Sequence, residues 1–189
     1  MDVVIILNDE KKNKNARKDS NYLLNNIKHL ITDSTNKIYL IYDEKDRKLI
    51  EEFNDKYDKN INLVKVSESL KDGGILSKIN DFINKNGLKD DLLIILNLST
   101  LNAEFPNIIE YLEATRKPTI ILKKESKKKI RTTNGVILDK NNFVKNVIER
   151  PINPKTNLTC VGVYFIPKDA LFWIKKIANT GADKTSFNL

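Results

Sequence analysis

The sequence predicts an α/β fold of three layers, with helices on both faces of a mixed, mainly parallel sheet and an antiparallel hairpin region. Runs that are apolar at almost every position, such as Asp2–Leu7 and Asp91–Leu96, are typical of strands buried on both faces. Segments with helical spacing alternate with such runs as far as Glu125, which favours parallel strands joined by helices. Turn residues then separate three short apolar runs between Asn134 and Pro167, which adds the antiparallel strands.

The alternating part predicts strands at Val3–Leu7, Lys37–Tyr42, Ile61–Val66, Leu92–Leu96 and Thr119–Leu122. Apolar stripes at helical spacing predict the intervening helices, one of them a charged surface helix over Asp43–Tyr57. A last helix is predicted over Lys168–Ile177, and its Phe172 and Trp173 are expected in the core rather than as a ligand platform.

The antiparallel region begins with a predicted β-hairpin. The runs Val136–Leu138 and Phe143–Ile148 look buried and should pair, because the residues DKNN between them are typical of a turn. Two prolines and an asparagine break the chain before a third run, Thr159–Ile166. Gly162 within that run indicates a bulge, close strand packing or a close approach to a ligand.

Composition is that of one globular domain spanning residues 1–189, with 40% hydrophobic and 31% charged residues. No run approaches the roughly 20 apolar residues of a membrane helix, and the first strand lacks the features of a signal peptide. We therefore expect a cytoplasmic location and no membrane partner. A single cysteine, Cys160, excludes an intrachain disulfide, and its apolar strand predicts a packed thiol.

The formal net charge of +8 suits anionic partners such as nucleotides, sugar phosphates or nucleic acid. Lysines that only solvate the surface would give the same balance. The basic segments, including Ser126–Arg131, have no interleaved aromatic residues and no familiar nucleic-acid motif. Nucleic acid is therefore not an expected partner.

A ligand site is expected beyond the carboxyl ends of the strands, in the loops after Leu7, Val66 and Leu96. The first loop is basic, the second contains Gly73-Gly74, and the third is polar but uncharged. Because the two glycines have no side chains, their backbone N–H groups could approach a phosphate closely. Basic surface loops are more often simply solvated.

Ten residues of the antiparallel region follow the order of a known family pattern, roughly G-V-(x)-x-D-x-x-x-x-V-x-x-x-x-E-K-P-x-x-P-x-S-N-x-(x)-x-x-G-(x)-Y. They are Gly135, Val136, Asp139, Val144, Glu149, Pro151, Pro154, Asn157, Gly162 and Tyr164. The stretch resembles the sugar-binding half of the sugar-1-phosphate nucleotidyltransferases, the family of glucose-1-phosphate thymidylyltransferase. Arg150 stands where that family usually has lysine. The segment KDGGILSKI also resembles the family's base-recognition segment, with Gly73 at its glycine.

The resemblance implies a Rossmann-like, GT-A-like nucleotidyltransferase fold. It implies an enzyme that joins a sugar 1-phosphate to a nucleoside triphosphate and releases pyrophosphate. Glu149 would then accept hydrogen bonds from sugar hydroxyls, and Arg150 would pair with the sugar phosphate. The backbone at Gly135 and Gly162 would approach the sugar. For Glu149 and Arg150 the alternative is a structural ion pair at a strand end.

The sequence departs from the family where the triphosphate and the metal would bind. The family opens with a glycine-rich loop, whereas the loop after Leu7 has no glycine and leaves Arg17 and Lys18 as candidate catalytic residues. The family's fourth strand ends with a magnesium-binding aspartate, and its second metal aspartate would fall beyond the end of this chain. The corresponding fourth-strand positions are Asn97 and Leu98, which offer no carboxylate, so Asp9 is the candidate substitute.

Three hypotheses stay open. The chain is a nucleotidyltransferase, with Mg²⁺ if active, acting on a sugar 1-phosphate and a nucleoside triphosphate. Alternatively it is a non-catalytic homologue that needs no cofactor. Such a homologue would bind a nucleotide sugar or act as a regulatory or partner subunit. A homo- or hetero-oligomer is consistent with either role. A basic nucleic-acid-binding module ranks last. The family's motifs for binding the triphosphate and the metal are not retained in this sequence. A degenerate relative, a truncated gene product and a partner subunit are therefore all consistent with it.

Overall fold

The computed structural model describes residues 1–7, 20–42, 46–56, 63–67, 75–96, 98, 101 and 103–179. The strands are β1 (Asp2–Ile6), β2 (Lys37–Tyr42), β3 (Leu63–Ser67), β4 (Leu92–Ile95), β5 (Thr119–Lys124), β6 (Asn134–Leu138), β7 (Val144–Glu149) and β8 (Leu158–Ile166). The helices are α1 (Ser20–Ile27), α2 (Arg47–Lys56), α3 (Ile75–Asn86), α4 (Phe105–Thr115), α5 (Lys127–Ile130) and α6 (Leu171–Asn179). Single 3₁₀ turns follow α1 and precede α6.

A six-stranded sheet in the order β3-β2-β1-β4-β8-β5 forms the centre of the fold. The first four strands of the sequence pair in parallel, which confirms the predicted parallel sheet. β8 pairs antiparallel with both β4 and β5, so β5 runs in the same direction as β4. The last long strand of the sequence is thus inserted between two parallel strands.

Alternate residues of the central strands enter two separate cores. On β1, Val3 and Ile5 pack with α1, α2 and α4, whereas Val4 and Ile6 pack with α3 and α6. All four side chains are almost completely buried. Cover on both faces explains why these strands are apolar at every position, as the three-layer prediction requires.

The predicted hairpin is present as a separate two-stranded sheet of β6 and β7. Asp139 forms its turn, since one carboxylate oxygen accepts from the N–H groups of Asn141 (2.8 Å) and Phe143 (2.9 Å). The expectation that both hairpin runs are buried is wrong for the second, because Phe143 and Val144 are exposed. A two-stranded sheet that packs through β6 leaves much of β7 in contact with water.

The expected core position of Phe172 and Trp173 is also wrong, since their side chains are 57% and 48% exposed. α6 packs against the sheet and α3 through Ile174, which is 2% exposed, and the adjacent aromatic residues point away from this contact. Their rings lie 4.7 Å apart, and the Lys176 ammonium lies 4.8 Å from the Trp173 ring. In the described part of the chain, no helix has the length and apolar character needed to cross a membrane.

A buried carboxyl group lies at the starting edge of the parallel strands. Asp2 is 6% exposed at the first position of β1. Burial and the negative charge of Asp90 raise the pKa of this carboxyl group, against smaller opposing effects of the amino terminus and Lys37. It therefore holds its proton more tightly in the folded chain, and it favours folding fully below its ordinary pKa of 3.8. This contribution is lost as the pH rises through the raised pKa.

We expect Asp2→Asn to raise the melting temperature at neutral pH, because the amide removes the cost of a buried charge. The gain should shrink as the pH falls and vanish below 3.8, where aspartate is protonated in both states. Thermal unfolding across this pH range tests the expectation, with the exposed Asp33→Asn as the control. A pH-independent gain would show that the carboxylate charge is not its cause.

Candidate functional site

The carboxyl ends of β1, β4 and β5 share one edge of the sheet, and β8 starts there because it runs the other way. The chain leaves β5 at this edge, forms α5 and the hairpin, and returns into β8. A hydrogen bond of 2.8 Å from the Glu125 N–H to the Asn157 carbonyl joins the two ends of this connecting segment. The hairpin therefore joins the sheet at the edge where ligands bind in α/β folds.

Glu149 and Arg150 lie side by side where β7 ends, and both are exposed. Arg150 has φ +43°, a left-handed conformation that costs a non-glycine residue about 1–2 kcal/mol. Its N–H donates to the Thr133 carbonyl at 2.8 Å, which ties this conformation to the start of the hairpin. Neither side chain forms an ion pair with any residue that the structure describes, in contrast to the structural ion pair considered above.

Gly135 lies in the buried part of β6, opposite Ile148. A Cβ at this position would lie 3.1 Å from the Thr156 methyl, 3.2 Å from Ile130 and 3.6 Å from Pro151. Close packing around the hairpin base thus accounts for glycine here. The approach of its backbone to a sugar stays a prediction.

Gly162 lies in a bulge of β8. The register changes there, since Ile120 and Leu122 of β5 pair with Tyr164 and Cys160. Gly162 has φ +81°, which glycine adopts without strain, and its carbonyl accepts from the Leu96 N–H at 2.8 Å. This change of register agrees with the bulge that was one of the alternatives considered for this glycine. Its contact with a sugar also stays a prediction.

Asn134 connects the hairpin to the main sheet, a role that the sequence did not indicate. Its side-chain oxygen accepts from the Cys160 N–H at 2.8 Å and from the Thr159 hydroxyl at 3.1 Å. Asn134 also pairs with Glu149 in the hairpin register. In a sequence, an asparagine followed by a glycine is typical of a turn. No local pattern therefore predicted that the Asn134 side chain contacts a distant strand.

Tyr164 and Cys160 form a polar pair behind the hairpin. The half-buried thiol donates to the tyrosine oxygen at 3.4 Å, consistent with the predicted packed cysteine. Burial, followed by Cys160 and the negative charge of Glu149, raises the pKa of the Tyr164 hydroxyl. The hydroxyl therefore keeps its proton at neutral pH. Because Glu149 contributes to this rise of the pKa, its carboxylate lies close enough to Tyr164 to interact with it electrostatically.

The candidate residues for the triphosphate, the metal and the base fall outside the described part of the chain. They are Asp9, Arg17, Lys18, Gly73 and Asn97. Leu98 is described, and its side chain is 6% exposed in the core that also contains Leu101 and Phe105. A buried leucine does not fit magnesium at the family's metal position. Within the described residues, no three histidine, cysteine or acidic side chains group as a metal site.

Replacing Asn134 by alanine should lower the free energy of unfolding by about 1–3 kcal/mol, because it leaves the Cys160 N–H without its acceptor. Hydrogen exchange at the Cys160 amide should accelerate as well. Asn146→Ala, at an exposed position of β7, is the matched control. Unchanged exchange at Cys160 would show that Asn134 does not hold the hairpin to β8.

Comparisons with known proteins agree with this architecture. The UDP-glucose pyrophosphorylase structure complexed with UDP-glucose superimposes with a TM-score of 0.66 at 9% identity, covering 93% of this chain and 79% of that one. The apo form of UDP-glucose pyrophosphorylase gives 0.65 at 9% identity, covering 93% and 80%. A protein described as a glucose-1-phosphate thymidylyltransferase from Bacillus anthracis, in complex with a sucrose, gives 0.62 at 14% identity, covering 93% and 74%.

The TM-scores show that this chain shares its fold with these proteins, which confirms the predicted fold class. No curated protein sequence matches the chain. The sequence model of the nucleotidyl transferase family matches residues 12–187, nearly the whole chain. This protein therefore belongs to the nucleotidyl transferase family.

Proposed function

We propose that the chain binds a sugar 1-phosphate, or a nucleotide sugar that contains one, at the end of the hairpin. The main support for this proposal comes from Glu149 and Arg150. Both are exposed, and neither has an ion-pair partner in the described chain. They lie at the edge of the sheet where ligands bind in α/β folds. Solvated charges with no structural partner are free to exchange water for a ligand. The left-handed backbone at Arg150 supports this, because strained residues cluster at ligand sites.

The chemistry of the two side chains matches such a ligand. The planar guanidinium of Arg150 presents parallel N–H donors that can bind a phosphate bidentately. The Glu149 carboxylate accepts hydrogen bonds, as the hydroxyls of a sugar require. UDP-glucose pyrophosphorylase, which shares the fold, binds UDP-glucose, and this makes UDP-glucose the first ligand to test.

We further propose that this chain alone transfers nucleotides weakly or not at all. In the family reaction a sugar-phosphate oxygen would attack the α-phosphorus of the triphosphate, the bond to the β-phosphate would break, and pyrophosphate would leave. Two anions approach each other, so the site must supply positive charge, as a bound magnesium does. At the family's metal position this chain has Leu98, buried in a hydrophobic core.

The alternative role is that of a non-catalytic homologue that binds a nucleotide sugar or acts as a partner subunit. The buried leucine at the metal position favours it over full activity. Participation of Asp9, Arg17, Lys18 and Gly73, a homo- or hetero-oligomer, and the cytoplasmic location stay predictions.

Arg150→Ala should weaken binding of UDP-glucose or glucose 1-phosphate by about 1.5–3 kcal/mol, because a charge-assisted hydrogen bond is lost. Isothermal titration calorimetry measures this directly. Arg116→Ala is a matched control, since Arg116 is also an exposed arginine with positive φ, +47° against +43°.

The two variants should share any backbone effect on stability and differ only in binding. Unchanged affinity in Arg150→Ala would make that arginine structural. If wild type binds no sugar phosphate or nucleotide sugar, the proposed site itself is wrong.

Pyrophosphate release should be weak or absent over a panel of nucleoside triphosphates and sugar 1-phosphates with magnesium. Losing one transition-state charge contact costs about 10²–10³ in rate. In this sequence the loop after Leu7 has no glycine, and position 98 has a leucine instead of a carboxylate. Parallel assays with a chelator provide the control. Robust turnover that the chelator abolishes would contradict the proposal, and its loss in Asp9→Asn would identify Asp9 as a substitute ligand.

A further inference from the structure

A dense group of positive charges follows β5. Residues 123–131 contain six basic side chains and one acid, and all six basic residues are exposed. Glu125 pairs with Lys123 at 3.0 Å, so the one acid of this segment is already engaged. The other five have no ion-pair partner among the described residues and are called the α5 cluster below. They are Lys124, Lys127, Lys128, Lys129 and Arg131.

The α5 cluster is held on a fixed support. The Ser126 side chain caps α5 by accepting from the Lys129 N–H at 3.3 Å. Ile130 is fully buried, and its methyl group lies 3.2 Å from the Cβ position of Gly135. The lysines therefore extend from an ordered helical turn packed on the hairpin base.

Two hydrogen bonds through Thr133 join this turn to Arg150. The Thr133 hydroxyl donates to the Lys129 carbonyl at 3.1 Å, and the Thr133 carbonyl accepts from the Arg150 N–H at 2.8 Å. Both segments lie at the carboxyl edge of the parallel strands, where β5 ends. The α5 turn and Arg150 are thus linked through one residue, and the field of exposed charges extends over a Debye length of about 8 Å at physiological ionic strength.

The other described helices carry a smaller excess of positive charge or none, and the largest is that of the two lysines of α6. α2 carries equal numbers of basic and acidic residues, including an Arg47–Glu51 pair at 3.5 Å. α4 contains Glu110 and Glu113 and no basic residue between Phe105 and Thr115. Among the described residues, the densest group of exposed basic side chains therefore lies on the hairpin side, and such a group attracts anions.

We propose that the α5 cluster is an electrostatic capture surface that steers phosphate-bearing ligands to Arg150. This inference rests on the proposed function and adds how the ligand arrives. The cluster is formed by exposed side chains on a short helix, so it acts through its field at a distance. Its effect should therefore appear in the association rate rather than in the dissociation rate.

Stopped-flow binding of UDP-glucose tests the proposal in the full chain. We compare wild type with the triple variant Lys127→Glu, Lys128→Glu, Lys129→Glu. The control is a second triple variant with the same change in net charge at the opposite edge of the sheet, where β2, β4 and β5 begin. It combines Lys28→Glu, Lys89→Glu and Lys117→Glu, all at exposed positions.

At low salt the α5 variant should associate about tenfold or more slowly, and the difference should disappear at high salt. Its dissociation rate should equal that of wild type, and the control variant should keep the wild-type association rate. An unchanged association rate would overturn the proposal. So would a loss confined to dissociation, which would indicate direct contacts with the ligand.

A second measurement separates this inference from the proposed function. A carboxylate-bearing nitroxide and its neutral carboxamide analogue broaden amide NMR signals according to the local potential, without a binding site. The carboxylate probe should be enriched at the Thr133 and Arg150 amides in wild type and depleted in the α5 variant.

If UDP-glucose and glucose 1-phosphate do not bind but this enrichment is seen, the proposed function fails and the positive surface stands. Equal broadening by the two probes in wild type would overturn the capture surface even if both ligands bind.

Discussion

The insertion of β8 between β4 and β5 is the constraint on which the candidate site depends. An antiparallel strand that separates two parallel ones must enter the sheet at the edge where they end, so the chain has to cross that edge before β8 begins. The hairpin occupies this crossing, and Asn134 ties it to β8 beside the Gly162 bulge. Without the insertion, Glu149 and Arg150 would have no fixed relation to the ends of β1 and β4.

The two edges of the sheet place their charged groups differently. At the starting edge, Asp2 is buried close to Asp90, which raises the pKa of Asp2. At the edge where β1, β4 and β5 end, exposed lysines lie on the segment that leads from β5 into the hairpin. The exposed lysines of the α5 cluster can act on an anion in solution, whereas the carboxyl group of Asp2 is buried and acts mainly on the stability of the fold.

Much of the fold could be predicted from the sequence because strands buried on both faces must be apolar throughout, as β1 and β4 are. The hairpin was predictable for a similar local reason, since Asp139 supplies its turn. The position of β8 in the sheet and the contact of Asn134 depend on residues distant in sequence, and no local pattern specifies them. Periodicity alone also could not show that Phe172 faces water, because an apolar stripe does not reveal which part of it is covered.

The candidate site was partly predictable for the same reason. Glu149, Arg150, Gly135 and Gly162 fall in one ordered stretch whose spacing survives in the sequence, and the structure describes all four. The triphosphate side had no comparable pattern, since its loop lacks glycine and the metal position holds Leu98.

The burial of Leu98 limits which side chains this position can hold. An aspartate there would lie in a core made by Leu101, Phe105 and their neighbours, where an unpaired carboxylate costs several kcal/mol. That amount is a large fraction of the total stability of a typical domain. A single Leu98→Asp substitution would therefore be strongly destabilising on its own. A carboxylate at this position requires compensating substitutions in the core around it.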